Sequence, residues 1–554
     1  MRINYVDRGP SPLDSGKPGA SADRDSTFGW WGAFSIQKFV NQSPLSHTHA
    51  DATGWLAYLQ QFYDRNFWFA DGGAQVWAYE ETNDNYQDRY GMDAVCAVYH
   101  SGHGGMDGNG VFFAPLGAVW DNRSDAVSNR MALGNEKANY IFWSTCTSLR
   151  VTGGHTPIRT WAGPNVGFRM IFGFETVSID SPDYGKKFWE KWRAGQTYCD
   201  AWLNASWDIY HGQAPSVAAT GATQAEATNR LNTERTFFRD HVPDSWYVWR
   251  WYAAREGVRE RLTRTPGDPR IVQLSPREPS AELTALGRLA DFPSAALQDV
   301  QVERQGVISA ESGDRTVSTS PHGVRWVRLA EANHRNTRRI DSDQAVQAAR
   351  AFAERHAEGA ELVLDSVHDL MENSGTKDGS ELHEPRSIET HVTFRQTFDG
   401  VPVITPDRGV VRVVVDNDGT VVQAQISTRE ATGATNTPST SVEPPPVRQG
   451  RQSKSARSGR GARSASRPSE DPMEALEAAE QRLLAHLSAT GSDGRRAIAD
   501  VRDQLSVRDV PDTTDIGYEI DGNEAYPAAR KLIEIGAEDS MFKTRRWVVA
   551  PLAR

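Results

Sequence analysis

Cysteine is scarce in this chain: Cys96, Cys146 and Cys199 are the only three in 554 residues. So few, so unevenly spaced, make neither a disulfide framework nor a thiolate zinc site, and free thiols are the simpler reading. Long apolar runs are missing too, and none reaches the roughly eighteen residues of a membrane-crossing helix. The opening stretch MRINYVDRGPSPLDSGKPGASADRDS lacks the apolar core of a secretory signal, so a cytoplasmic chain is expected. Nor is there a basic surplus. With 61 Lys and Arg against 72 Asp and Glu the net charge is -11, which argues against nucleic-acid or anionic-membrane binding through a broad basic face. Protein or peptide partners remain. No His-Glu-x-x-His zinc motif occurs, and the Gly-rich SGHGGMDGNG lacks the lysine and following Ser or Thr of a phosphate-binding loop.

What is present is unevenly distributed. The length suggests about three or four domains, and fifteen of the seventeen Trp residues lie at or before Trp251. The first half should therefore hold a large aromatic-rich core. Within it, Ala52 to Phe67 has helical spacing and GAQVWAYEE reads as a strand. Two further strands lead to His100 and to Cys146, VGFRMIFGFETVS gives a third buried strand, and PSVAATG gives a last short one. KKFWEKWRAGQTYCDAWLNASWDIY supplies one or two covering helices. Strands alternating with helices predict an α/β layer with a mostly parallel sheet over residues 27–260.

Residues 275–430 read as a small α+β domain. The helix DSDQAVQAARAFAERH, capped at Asp341 or Ser342, precedes strand-like runs that end in a hairpin at Asp416-Asn417-Asp418-Gly419. A Pro/Ser/Arg-rich, solvated linker is expected over 431–471, with arginines from Arg448 to Arg467 that would expose a processing site. A second small α+β domain, 472–554, would hold the helix MEALEAAEQRLLAHLSATG and strands around IGYEIDG and KTRRWVVAPL. Residues 1–26 read as disordered.

The chemistry concentrates in two segments. DAVCAVYHSGHGG, Asp93 to Gly105, and ANYIFWSTCTSLR, Ala138 to Arg150, are each a short apolar run that breaks into small polar residues, as a buried strand does when its end opens on a crevice. If the two strands are neighbours, the His103 imidazole meets the Cys146 thiol. A thiol of ordinary pKa is only a few per cent ionised at neutral pH. His103 would take its proton and return it to the leaving amine, a contribution of about 10²–10⁴ in rate. Gly104 leaves its backbone N–H unobstructed, so with the Cys146 N–H it would face the developing oxyanion.

A strand running into Ser-Gly-His-Gly, with a second running into a Cys flanked by small polar residues, resembles the caspase-like cysteine peptidases that include caspases, legumain, clostripain and gingipains. Their caspase members place the His about 50 residues before the Cys, and here it lies some forty before. The Gln-Ala-Cys-Arg-Gly signature is replaced by Ser144-Thr145-Cys146-Thr147-Ser148, so a true caspase is not expected. Gly29 to Phe238 looks like a little-characterised bacterial caspase-like family. The resemblance implies an α/β caspase-like fold, His103 as base, Cys146 as nucleophile and no cofactor or metal. Phe394 to Ser427, with its Gly-Val-Pro-Val turn, is similar to the propeptide domains of thermolysin-like and fungalysin-like peptidases. That likeness implies intramolecular regulation by the C-terminal domains.

Other residues carry blander readings. Cys96 and Cys199 read as core; His100, a rival to His103 for the base role, reads rather as a structural strand histidine; and His155 reads as a loop residue. A zinc site from His100, His103, His155 and Asp107 would make a metal-dependent hydrolase, but their spacing matches no firm metal pattern. Asp180 and Asp183 follow the third strand and would favour a basic side chain in a pocket, although loop aspartates are usually solvent-exposed. No substrate-binding residue is assigned. The sequence therefore predicts a cysteine endopeptidase that forms a thioester acyl-enzyme on a protein or peptide substrate. Its alternative is a non-catalytic binding or scaffold protein with the same architecture.

Overall fold

The structure, a computed structural model, describes residues 3–6, 9–13, 29–81, 86–254, 270–297, 300–303, 306–435, 471–491, 505–536 and 540–552. Its centre is one 15-stranded mixed sheet. At one end Phe67–Ala70, Trp31–Ser35, Ala97–Ser101, Tyr140–Ser144 and Met170–Phe174 lie side by side, all parallel. Pro215–Gly221 then runs antiparallel to Met170–Phe174, and Trp246–Ala254 antiparallel to Pro215–Gly221.

The rest of the sheet overturns the expected mostly parallel α/β caspase-like fold. Trp246–Ala254 pairs over nine residues with Glu361–Thr376, and the sheet continues antiparallel through Arg386–Phe398, Val410–Asp416, Val421–Ile426, Arg325–Arg328, Arg315–Thr319 and Ile308–Ser312. Four pairings in this sheet are parallel and ten antiparallel. Apolar patterning marks a segment as a strand but does not encode the direction of its neighbour; that depends on which edge is left open when distant segments meet.

Local readings differ in detail. Helical spacing from Ala52 gives a helix over Thr48–Leu59, which ends before the strand Phe67–Ala70. GAQVWAYEE, expected as a strand, instead contains a 3-10 turn at Val76–Ala78. Two helices, Tyr184–Arg193 and Tyr198–Trp207, cover the parallel strands. The helix Ser342–His356 is capped by Asp341, whose side chain accepts from the Gln344 N–H in a capping box. Ile3–Val6, in the stretch expected to be disordered, pairs in parallel with Val300–Glu303. The arginines from Arg448 to Arg467 lie outside the described residues.

Both faces of the four inner parallel strands are buried, so those strands read as continuous apolar runs, while the edge strand Phe67–Ala70 is half-buried. Tyr140 and Phe142 face one aromatic core, and Ile141 and Trp143 the other. Phe142 stacks on Phe172 with centroids 4.1 Å apart. Each such side chain contributes roughly 1.5–3 kcal/mol through burial. A second sheet joins Ala431–Thr435, Ile271–Leu274 and the long central strand Glu524–Ile535 with Val507–Asp509, Asp515–Asp521 and Thr544–Pro551. The helix Pro472–Gly491 packs on it through Leu476, Leu484 and Leu487. Among the described residues no helix is long and apolar enough to cross a membrane.

Candidate functional site

The parallel register builds the site. Ala97–Ser101 pairs with Tyr140–Ser144, with Ser101 opposite Ser144. His103 and Cys146 each stand two residues beyond that pair, on neighbouring strands about 4.8 Å apart. Asp51, on the helix Thr48–Leu59, lies buried beneath the strand tips and accepts hydrogen bonds from the Tyr99 and Ser101 hydroxyls and the Gly185 amide. Burial pushes its carboxyl up to about 6. Asp93 anchors the approach to the cysteine strand by accepting the backbone N–H groups of Gly134, Asn135, Glu136, Lys137 and Ala138.

His103 is 1% exposed, with Phe39 against its ring at 4.6 Å. Its Nε2 lies 2.9 Å from the Ser43 carbonyl oxygen. Because that oxygen only accepts, Nε2 carries the proton and Nδ1 holds the bare lone pair. Nδ1 is buried and has no hydrogen-bond partner among the described residues. Desolvation holds the imidazole down at about 4, against the opposing pull of the Ser43 carbonyl and Asp180.

Cys146 is 3% exposed. Its Sγ donates to the Lys543 carbonyl oxygen at 2.9 Å, accepts the Ser178 N–H at 3.3 Å, and lies 3.5 Å from Ser178 Oγ. No hydrogen bond joins Sγ to His103 among the described residues. Burial pushes the thiol above its ordinary range, outweighing its hydrogen bonds to Ser178. Gly104 packs against the cysteine turn so closely that a Cβ there would lie 2.8 Å from the Cys146 carbonyl oxygen. Thr147 has φ +50°, in the left-handed region, which costs a β-branched residue about 1–2 kcal/mol.

The remaining sequence candidates fall elsewhere. His100 is fully buried with Nδ1 2.9 Å from the Tyr79 hydroxyl, and Cys96 and Cys199 are buried free thiols. Asp107 accepts the Asn109 and Val111 amides of its own loop. Among the described residues no group of three or more His, Cys, Asp or Glu is placed to hold a metal ion. Asp183 stands at the N-cap of Tyr184–Arg193.

Asp180 departs from the reading of an exposed loop aspartate. Its carboxylate is 1% exposed and accepts the backbone N–H groups of Ser46 at 2.9 Å and His47 at 3.2 Å. Sequence reasoning missed Ser43, Ser46 and Ser178 altogether. They sit in short polar segments, NQSPLSH and TVSID, that carry no periodic signal.

Residues 30–251 match a family profile described as a domain of unknown function (DUF6345). No curated protein and no solved structure matches the chain.

Proposed function

We propose that the chain is a cysteine endopeptidase in which Cys146 attacks a peptide carbonyl and His103 transfers protons. The observation that carries this reading is the juxtaposition of the two strand tips, with the Ser43 carbonyl fixing His103 so that its Nδ1 is left bare and without a hydrogen-bond partner among the described residues. That orientation follows the general logic of a nucleophile, a base and a group that holds the base.

In the proposed reaction Sγ bonds to the carbonyl carbon while its proton passes to His103 Nδ1. The oxyanion meets the Gly104 and Cys146 N–H groups, each such donor being worth on the order of 3 kcal/mol. The C–N bond then breaks, the leaving amine takes the proton from His103, and a thioester remains. Water adds to the thioester carbon and gives a proton to His103. The C–S bond breaks, and the sulfur regains its proton. A cytoplasmic, thiol-preserving compartment would suit a reaction that needs a free Cys146.

The test uses a peptidyl acyloxymethyl-ketone probe on the full chain, on Cys146→Ala and on His103→Ala. Labelling that requires both residues is expected, together with hydrolysis of a peptide mixture lost in either variant. Equal labelling of Cys146→Ala would refute the reading. A binding or scaffold protein would instead lose nothing when Cys146 is replaced.

A further inference from the structure

The sulfur is covered by the chain's own C-terminal segment. Met541 lies over Gly105, where a Cβ would meet its Cγ at 2.8 Å, and the Lys543 carbonyl oxygen accepts a hydrogen bond from the Cys146 thiol. The segment then runs parallel to the residues after the third strand: the Arg545 N–H donates to the Ser178 carbonyl at 3.3 Å, and the Asp180 N–H donates to the Arg545 carbonyl at 2.9 Å. Arg546 follows with its side chain 3% exposed. Its guanidinium forms an ion pair with Asp180 at 2.5 Å and donates to Ser46 Oγ at 2.8 Å and to the Pro44 carbonyl at 3.3 Å.

The groups that hold the Arg546 guanidinium come from the side that bears His103 and Cys146. The loop Ser43–His47 supplies the Ser43 carbonyl that fixes His103 and also Pro44, Ser46 and His47, which surround the guanidinium and its carboxylate. Asp180 is two residues from Ser178, about 7 Å of extended chain, and Ser178 touches the sulfur. The pocket opens on a cleft of about 520 Å³ that includes Asp180, Asp183, Lys187 and Asp407 in its walls. A planar guanidinium is the group this array of one carboxylate, one hydroxyl and one carbonyl fits best, since its donors are spread in a fixed fork.

We propose that this pocket selects substrates by a cationic side chain, arginine foremost, and that Arg546 occupies it as an intramolecular competitor. The proposal rests on the peptidase reading for the word substrate, but the pocket and its occupant do not. The bound segment is out of register for cleavage. The carbonyl beside the sulfur belongs to Lys543, three residues before the arginine in the pocket, and it meets the thiol through its oxygen as a hydrogen-bond acceptor. A substrate arginine that placed its own carbonyl carbon at the sulfur would need a backbone path different from that of Lys543 to Arg546, and it could take the pocket only after the C-terminal strand has left.

The test is the rate at which iodoacetamide alkylates Cys146 in the full chain, followed by peptide mass spectrometry. Two independent variants loosen the cover: Arg546→Gln removes the charge from the pocket, and Met541→Asp alters a side chain that is already 38% exposed, so folding is not at stake. Both are expected to react at least about tenfold faster than the parent, the effect of 1.4 kcal/mol in the opening equilibrium. N-acetyl-arginine methylamide should slow alkylation of Arg546→Gln, its norleucine analogue should not, and the arginine protection should vanish when Asp180→Asn is added. A peptide library cut by the opened chain should show arginine or lysine on the acyl side of the broken bond. Unchanged alkylation in both variants, or equal protection by the norleucine compound, would overturn the proposal. Faster alkylation and arginine-specific protection with no Cys146-dependent hydrolysis would sustain the pocket and its competitor while refuting the peptidase reading.

Discussion

The closed site dictates how Cys146 should respond to pH. Iodoacetamide reacts with the thiolate, and an active dyad that stores a thiolate–imidazolium pair reacts well below the pKa of a free thiol. Here burial holds His103 at about 4 and pushes Cys146 upward. At pH 7 about one imidazole in a thousand is then protonated, so no standing ion pair exists. Thiolate content falls tenfold for each pH unit below the thiol's own pKa. The logarithm of the alkylation rate in the intact chain should therefore climb with a slope near one from pH 6 to pH 9, without a shoulder. Met541→Asp admits water, which lets His103 move back toward its ordinary value of 6.5. A shoulder should appear between about pH 6 and pH 8, reporting the pair once it can form. The assay is the rate of Cys146 carboxamidomethylation across buffers of constant ionic strength. A neutral-pH plateau in the intact chain would show a preformed pair and refute the assignment of this conformation as the closed, idle one.

Further consequences attach to the same geometry. Asp93→Ala should destabilise the strand bearing Cys146 by about 3–5 kcal/mol, because two of the five amides it satisfies, Gly134 and Ala138, are buried; hydrogen exchange at 134–138 faster by several orders of magnitude would be the readout, and unchanged protection would count against it. Thr147→Gly relieves a left-handed backbone and should raise stability by up to about 1 kcal/mol after the entropy cost of glycine, seen as a higher Tm. Gly104→Ala forces a Cβ into the Cys146 carbonyl, so hydrolysis should fall by at least about tenfold with little change in KM. His368, stacked on Trp207 at 3.7 Å, is held well below its ordinary value by burial first and by His391 and Arg412 after that. A histidine depressed in the folded state gives stability that is full above about pH 6.5 and declines as pH falls, because the unfolded chain takes the proton first. His368→Gln should flatten that decline by about 2 kcal/mol between pH 7 and pH 5, measured as Tm against pH.

The strands that carry the proposed chemistry were legible because both of their faces are buried. Ala97–Ser101 and Tyr140–Ser144 are short continuous apolar runs with abrupt polar ends, and the paired positions of His103 and Cys146 follow from their common offset past the strand. The capping box at Asp341 and the hairpin at Asp416 to Gly419 were legible for a similar reason: each is settled by hydrogen bonds within a few residues. Trp246–Ala254 and Glu361–Thr376 show the limit. Both are rich in strand-forming residues, yet nothing in either names the other as its partner across more than a hundred residues of chain. The expectation of a mostly parallel sheet failed at that joint.

Asp180 shows the same limit at the scale of one side chain. Its local sequence is that of an exposed loop, and its burial comes from Ser46 and His47 on one side and from Arg546 on the other. The sequence alone determined that an imidazole and a thiol stand just past two apolar runs, since that is a property of side-chain identity and of the short-range pattern that ends a strand. Tertiary structure decided the sheet's direction, the seat of the guanidinium and the closing of the thiol beneath Lys543. Those depend on contacts between segments hundreds of residues apart, which local periodicity does not encode.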